Sequence, residues 1–122
     1  MQTKEQNRSR FALEMISEHF SQGGVDKESA NFIVGIPTMI LTNGIAQTLA
    51  FLLSNKTKEK QYLVLKIVRT WLEQEIAGLH AKTEMGFLQN FTHLQSGDYL
   101  KAQREALAML HWLKRYARAF EV

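Results

Sequence analysis

Residues 35–54 read GIPTMILTNGIAQTLAFLLS. This is the most apolar run of the chain, and it holds the single proline, Pro37. From Pro37 to Ser54 no residue is charged. A helix that is hydrophobic nearly all round is buried, so this run is expected at the centre of the fold with other helices packed around it. At about 18 residues it has the length of a bilayer span. Against that, Thr38, Thr42, Asn43, Gln47 and Thr48 spread polar groups along it, and Asn43-Gly44 interrupts it. It reads as a buried core helix, or as a helix broken at Asn43-Gly44.

On either side of this segment the pattern is helical. Residues 3–20 form the first unit: Thr3 caps it, Gln6 completes a capping box, and Phe11, Ala12, Met15 and Ile16 make the apolar stripe. Lys4 and Arg8, four apart, share a face. Ser21-Gln22-Gly23-Gly24 is the expected stop, because glycine takes the left-handed C′ conformation cheaply. Asp26 caps a short helix to about Val34. Gly35-Ile36-Pro37 then interrupts it, with Pro37 suited to the first turn of the next helix. Beyond the core run, Thr57 is the expected cap of a helix over about 58–76, with Val64, Ile67, Val68, Trp71 and Leu72 inward. A short helix over about 83–94 carries Phe87, Leu88 and Phe91. Asp98 is the expected cap of the last helix, 98–120. No alternating run of strand length and no internal repeat occurs. The fold class expected is all-α, a compact bundle of five or six helices around a central apolar helix, in a single domain spanning residues 1–122.

With 122 residues, 45% hydrophobic and 22% charged, the chain can bury a core without staples. It has no cysteine, so disulfides, thiolate metal sites and cysteine nucleophiles are excluded. The polar N-terminus MQTKEQNRSR has no apolar signal-peptide core, and the expectation is a cytoplasmic protein. His19, His80, His93 and His111 show no metal-ligand spacing. There is no phosphate-cradling glycine loop, no dinucleotide fingerprint and no nucleophile elbow. Glu14 and Glu18 are surface-like, and Glu73 and Glu75 point different ways. The sequence makes no case for an enzyme, a cofactor or a metal.

The formal net charge is +3, and its distribution says more than its size. In the last helix Leu100, Gln103, Leu107, Leu110, Lys114 and Ala117 share one row, widened by Ala106, Leu113 and Phe120. One residue over, roughly 100° round the helix, lie Lys101, Arg104, Ala108, His111, Arg115 and Arg118. Such a flank can grip phosphates without reading sequence. A solvated cationic face produces the same pattern, with the helix dipole favouring cations at its end. Trp112 and Tyr116, four apart, could stack on bases, though such pairs more often pack on neighbouring helices. Asn43 and Gln47, four apart in the apolar run, fit an internal hydrogen bond near Gly44.

Three stretches carry a family resemblance. They are Gln6-Asn7-Arg8 with Phe11-Ala12; Ile36-Pro37 followed by Asn43-Gly44-Ile45-Ala46-Gln47-Thr48-Leu49-Ala50-Phe51-Leu52; and Glu105-Ala106-Leu107 with Trp112-Leu113-Lys114-Arg115-Tyr116-Ala117. In this order, the chain resembles the small helical subunit of the type III-B CRISPR effector, the Cmr complex. The resemblance implies a non-catalytic subunit in antiviral defence. Several copies of it would stack beside the backbone subunits and line the channel of the guide RNA–target RNA duplex. Its partners would be that duplex, the backbone and large subunits, and further copies of itself, with no membrane. A duplex whose sequence is read by base pairing needs only backbone and shape recognition from protein. Lys4, Arg8, Lys66, Arg69, Lys114, Arg115 and Arg118 are the candidates for phosphate contact. Asn43 and Gln47 match the family's motif, with a bond to RNA, to the next subunit or within the helix all open. Two other readings stand beside this one: a purely protein–protein helical scaffold, and a small helical DNA-binding regulator.

Overall fold

The chain begins with a helix whose first turn satisfies itself. Thr3 accepts a hydrogen bond from the backbone N–H of Gln6, and the Gln6 side chain accepts one from the N–H of Thr3. This capping box starts α1, Lys4–His19, as expected. Phe11, Ala12 and Ile16 are buried along it and Met15 packs against the same core. The computed structural model describes residues 1–20 and 22–122. Ser21, one member of the expected Ser-Gln-Gly-Gly stop, lies outside the described residues.

Gly24 serves the far end of the chain rather than α1. Val25 N–H donates to the Phe120 carbonyl at 2.9 Å and Val122 N–H donates to the Val25 carbonyl at 3.0 Å, strapping the C-terminus down. Gly24 sits at φ +77°, and a Cβ there would lie 2.5 Å from a Val122 side-chain carbon and 2.7 Å from the Phe120 carbonyl oxygen. Both the conformation and the close approach require glycine.

Asp26 caps α2 by accepting from Ser29 N–H, but α2 runs Lys27–Asn43, through the expected interruption at Gly35-Ile36-Pro37. Pro37 therefore lies inside a helix, where its missing N–H and ring cost about 3 kcal/mol. Ile33, Ile36, Pro37 and Ile40 are all buried. Burying a side chain of isoleucine size is worth about 1.5–3 kcal/mol, so the packed face outweighs the local penalty. The break comes at Gly44 instead, the second of the two readings of this run. Its φ of +85° turns the chain between α2 and α3, Ile45–Ser54.

The apolar run is therefore split between two helices, and only one side of it is buried. Ile36, Ile40, Ile45, Thr48, Leu49 and Leu52 face the core. Thr38, Leu41, Thr42, Asn43, Gln47, Ala50 and Phe51 are exposed. The expectation of a segment buried all round is corrected on this point. Absence of charge marks a segment that is not repelled from the core, but half of this one is left at the surface.

α4 spans Glu59–Glu75, starting after Lys58 and not at the expected Thr57 cap. Val64, Leu65, Ile67, Val68, Trp71 and Leu72 are buried along it. The short helix expected over about 83–94 is α5, Glu84–Thr92, and Thr83 caps it by accepting from Gly86 N–H. α6 spans Ser96–Ala119 after Gln95, so Asp98 is in its first turn and not its cap. There its carboxylate still suits the positive end of the helix dipole. The buried face of α6 is Ala102, Glu105, Ala106, Met109, Leu110, Leu113 and Ala117. Leu100 and Phe120, expected inward, are exposed. α6 is the most extensively packed element, chiefly against α1 and α2, then α4. Among the described residues there are six helices and no strand, an all-α bundle. No helix among them is long and apolar enough to cross a membrane.

Candidate nucleic-acid interface

α6 turns one side to α1 and leaves another outward, and the two divide the cations between them. Glu105 is only 4% exposed, and it is the one buried carboxylate among the described residues. Arg8 grips it with two bonds, Nε to Oε1 at 3.1 Å and Nη2 to Oε2 at 2.6 Å. Trp71 Nε1 donates to Oε1 at 3.1 Å, and Lys4 Nζ stands 3.9 Å from Oε2. Burial pushes the Glu105 carboxyl up, but the hydrogen bonds and charge of Arg8, with Trp71 and Lys4, outweigh it and hold it below the ordinary range. The same bond to Glu105 raises the Arg8 guanidinium further above its already high value.

This seam also absorbs the aromatic pair. Trp112 Nε1 donates to Glu5 at 3.0 Å, and the Tyr116 and Ser9 hydroxyls are 2.7 Å apart. The two rings stack on each other at 5.9 Å. Trp112 and Tyr116 thus tie α6 to α1, in keeping with the packing reading of the pair. Phe11 and Trp71, with ring centroids 5.0 Å apart, close the seam from beneath.

Of the nine candidate residues, the structure brings only some together. Lys4 is ion-paired to Glu75 and Arg8 to Glu105 and Glu5. Arg69 donates to Glu73 and to the Ala81 carbonyl and lies over the Phe87 ring, so it anchors the α4–α5 connection. Lys66 is exposed on α4, its ammonium 5.3 Å from the Tyr62 ring centroid. Asn43 and Gln47 are exposed, and neither side chain bonds within the described residues. The internal hydrogen bond expected of them is made by others. Gln103 Oε1 accepts from Ile45 N–H at 3.0 Å and Tyr99 Oη from Ala46 N–H at 3.2 Å. The start of α3 is thereby capped from α6.

Lys114, Arg115 and Arg118 do converge. With Val34 of α2 they line one shallow depression between α2 and α6. Up the same helix, Lys101, Arg104, His111 and Arg115 point outward and are exposed, at spacings of three, seven and four, with Ala108 filling the gap in the row. Lys101, Arg104, Lys114 and Arg115 have no ion-pair partner among the described residues. Arg118 is shared between Glu121 at 2.7 Å and Asn31 at 3.0 Å. From Lys101 to Arg118 the row extends about 25 Å at the helical rise.

Sequence reasoning named Glu105 and Gln103 without finding their roles, and did not single out Tyr99. Glu105 had a signal: it falls at helical spacing with Ala102, Ala106 and Met109 on what proves to be the buried face. All three stretches quoted above fall within the span of one comparison. The chain matches the family model described as CRISPR-associated protein (Cas_Cmr5) over residues 4–120, and so it belongs to that family, the small subunits of Cmr effectors.

Proposed function

We propose that the protein is a non-catalytic small subunit of a type III-B, RNA-guided antiviral complex in the cytoplasm. Several copies stack along the guide RNA–target RNA channel, beside the backbone and large subunits, and hold the target strand by its phosphates. The observation that carries this is the outward row of α6, where Lys101, Arg104 and Arg115 lack carboxylate partners among the described residues. Backbone contacts of this kind give affinity without sequence readout, which suits a duplex already read by base pairing. One subunit offers few such contacts, so tight holding comes from copies repeated along one strand.

The test is charge reversal in the assembled complex. Lys101→Glu, Arg104→Glu and Arg115→Glu together should weaken target-RNA binding and flatten its salt dependence. The slope should fall by about 0.7–0.9 for each phosphate that is no longer neutralised. Unchanged affinity and slope in a complex of normal composition would sink the proposal.

A scaffold role has its own observation. The exposed half of the uncharged run, with Leu41 70% and Phe51 42% exposed, lacks the cations a polyanion needs and has the depleted charge of a protein–protein contact. This second reading places partner proteins on α2 and α3 and leaves α6 without an RNA role. If it alone holds, the α6 reversals leave RNA binding intact, whereas Leu41→Asp with Phe51→Asp blocks assembly.

A further inference from the structure

The cations of α6 are not evenly laid out. Lys101 and Arg104 stand singly on the outer row, while Lys114, Arg115 and Arg118 gather round one depression against Val34. That depression, about 390 Å³, has room for a phosphoryl group with its waters, at about 30 Å³ per water. One of its donors is held in place beforehand. Arg118 Nη2 donates to Asn31 Oδ1 at 3.0 Å, and Nη1 donates to Glu121 Oε1 at 2.7 Å. Because Asn31 accepts through its oxygen, its amide N–H₂ remains a donor on the α2 side.

The helix dipole does not account for this cluster. It favours cations within the last turn only, which covers Arg118 and leaves Lys114 and Arg115 a turn earlier unexplained. Local charge decides the class of ligand. Three cations less the one carboxylate of Glu121 leave an excess of two positive charges. A phosphodiester inside a strand carries one negative charge. A phosphomonoester carries about 1.5 to 2 near neutral pH, its second ionisation lying near pH 6, and offers three acceptor oxygens.

We propose that the α2–α6 depression binds a phosphomonoester, the group found at a phosphorylated end of an RNA strand. This rests on the reading of α6 as an RNA-facing helix and adds a terminal site to its track. Lys114 and Arg115 meet the charge, Arg118, steadied by Asn31 and Glu121, orients the oxygens, and Val34 completes the lining.

The experiment uses the full chain and small probes, so that weak binding remains measurable. Backbone amide NMR shifts are followed while uridine monophosphate, uridine or inorganic phosphate is added to millimolar concentration. Residues 31–34 and 114–118 should move with uridine monophosphate and not with uridine. The effect should grow as pH rises from about 5.5 to 7.5 and the phosphate gains its second charge. An equal response to inorganic phosphate identifies the phosphoryl group as the whole of the ligand, and a weaker one adds a contribution from the nucleoside. Lys114→Gln with Arg115→Gln should weaken uridine monophosphate binding roughly tenfold, about the worth of one charge-assisted hydrogen bond. Lys101→Gln with Arg104→Gln should leave it unchanged. No shift at these residues, or an equal shift with uridine, overturns the terminal site. That result leaves the track untouched, because the track is judged by the salt slope of the assembled complex.

Discussion

The α1–α6 seam and the outer row of α6 hold the same kinds of side chain and put them to opposite uses. In the seam, Arg8 is half-buried, doubly bonded to Glu105 and ion-paired to Glu5. One residue round the helix from Glu105, Arg104 is exposed and ion-paired to no carboxylate among the described residues. A cation neutralised inside the fold adds shape and leaves the outside field nearly unchanged. A cation left alone adds field and does little for stability. The modest net charge of +3 understates what a polyanion meets on the α6 side, because several of the chain's carboxylates are paired with cations elsewhere.

The strongest way to break this contrast is to remove the seam's anion. Glu105→Ala leaves the Arg8 guanidinium without its main partner in a desolvated place and takes the acceptor from Trp71. Removing one member of a buried pair costs about 3–5 kcal/mol, read as a lowered urea midpoint. Replacing the pair together, Arg8→Met with Glu105→Met, should recover only part of this, since the Trp71 N–H still lacks an acceptor.

Titration tests the same group. The folded carboxyl of Glu105 lies below its ordinary value of 4.5, so its contribution is fully present above that value and is lost as pH falls through the folded value. Stability of the natural chain should therefore fall as pH drops below about 4.5. Glu105→Gln, less stable at neutral pH, should show a flatter profile there. Parallel profiles would remove the pair from the account. The α6 reversals, by contrast, should shift stability by no more than about 0.5 kcal/mol each while changing RNA binding, which is the sharpest statement of the difference between the two regions.

How much of this was legible in the sequence depended on the distance between partners. The capping box of Thr3 and Gln6 lies within four residues, and so does the Asp26 cap on Ser29; both could be read directly. The outer row of α6 was equally legible, because spacings of three and four define a helix face whatever packs on it. What was not legible was which cations would meet a carboxylate. Arg8 and Glu105 are 97 residues apart, and spacing along α1 says nothing of what α6 brings to it. Pro37 misled for a related reason. Its local penalty is plain in the sequence, while the burial of Ile33, Ile36 and Ile40 that overrides it belongs to the assembled core. The caps expected at Thr57 and Asp98 were displaced by one and three residues, to Lys58 and Gln95, neither of which makes a side-chain cap bond. Packing, and not capping, sets those two boundaries.

A smaller effect is expected where α6 caps α3. Gly44 breaks the helix and leaves the first N–H groups of α3 without internal partners. Gln103 and Tyr99 supply them across the fold. Gln103→Ala should cost about 1 kcal/mol, the usual worth of an N-terminal cap, seen as a small drop in Tm. It should also speed amide exchange at Ile45, which is then without its acceptor. A Tm change without faster exchange there would mean that Gln103 acts by packing alone.

The smallest effect on the free chain, and the most telling, belongs to Asn43 and Gln47. Because Gln103 and Tyr99 do the capping, these two amides stay exposed, with no side-chain bond among the described residues. Asn43→Ala and Gln47→Ala should each change stability by less than about 0.5 kcal/mol. They stand on the uncharged face with Leu41 and Phe51, not on the cationic row, so a contact they make belongs with partner proteins more than with phosphates. Pull-down of the partner subunits by the tagged double variant distinguishes the cases. Reduced recovery from a chain of unaltered Tm assigns the amides to assembly. Normal assembly with weakened RNA binding would extend the nucleic-acid surface from α6 across Gly44 to α3, and the division between a charged and an uncharged side would fall.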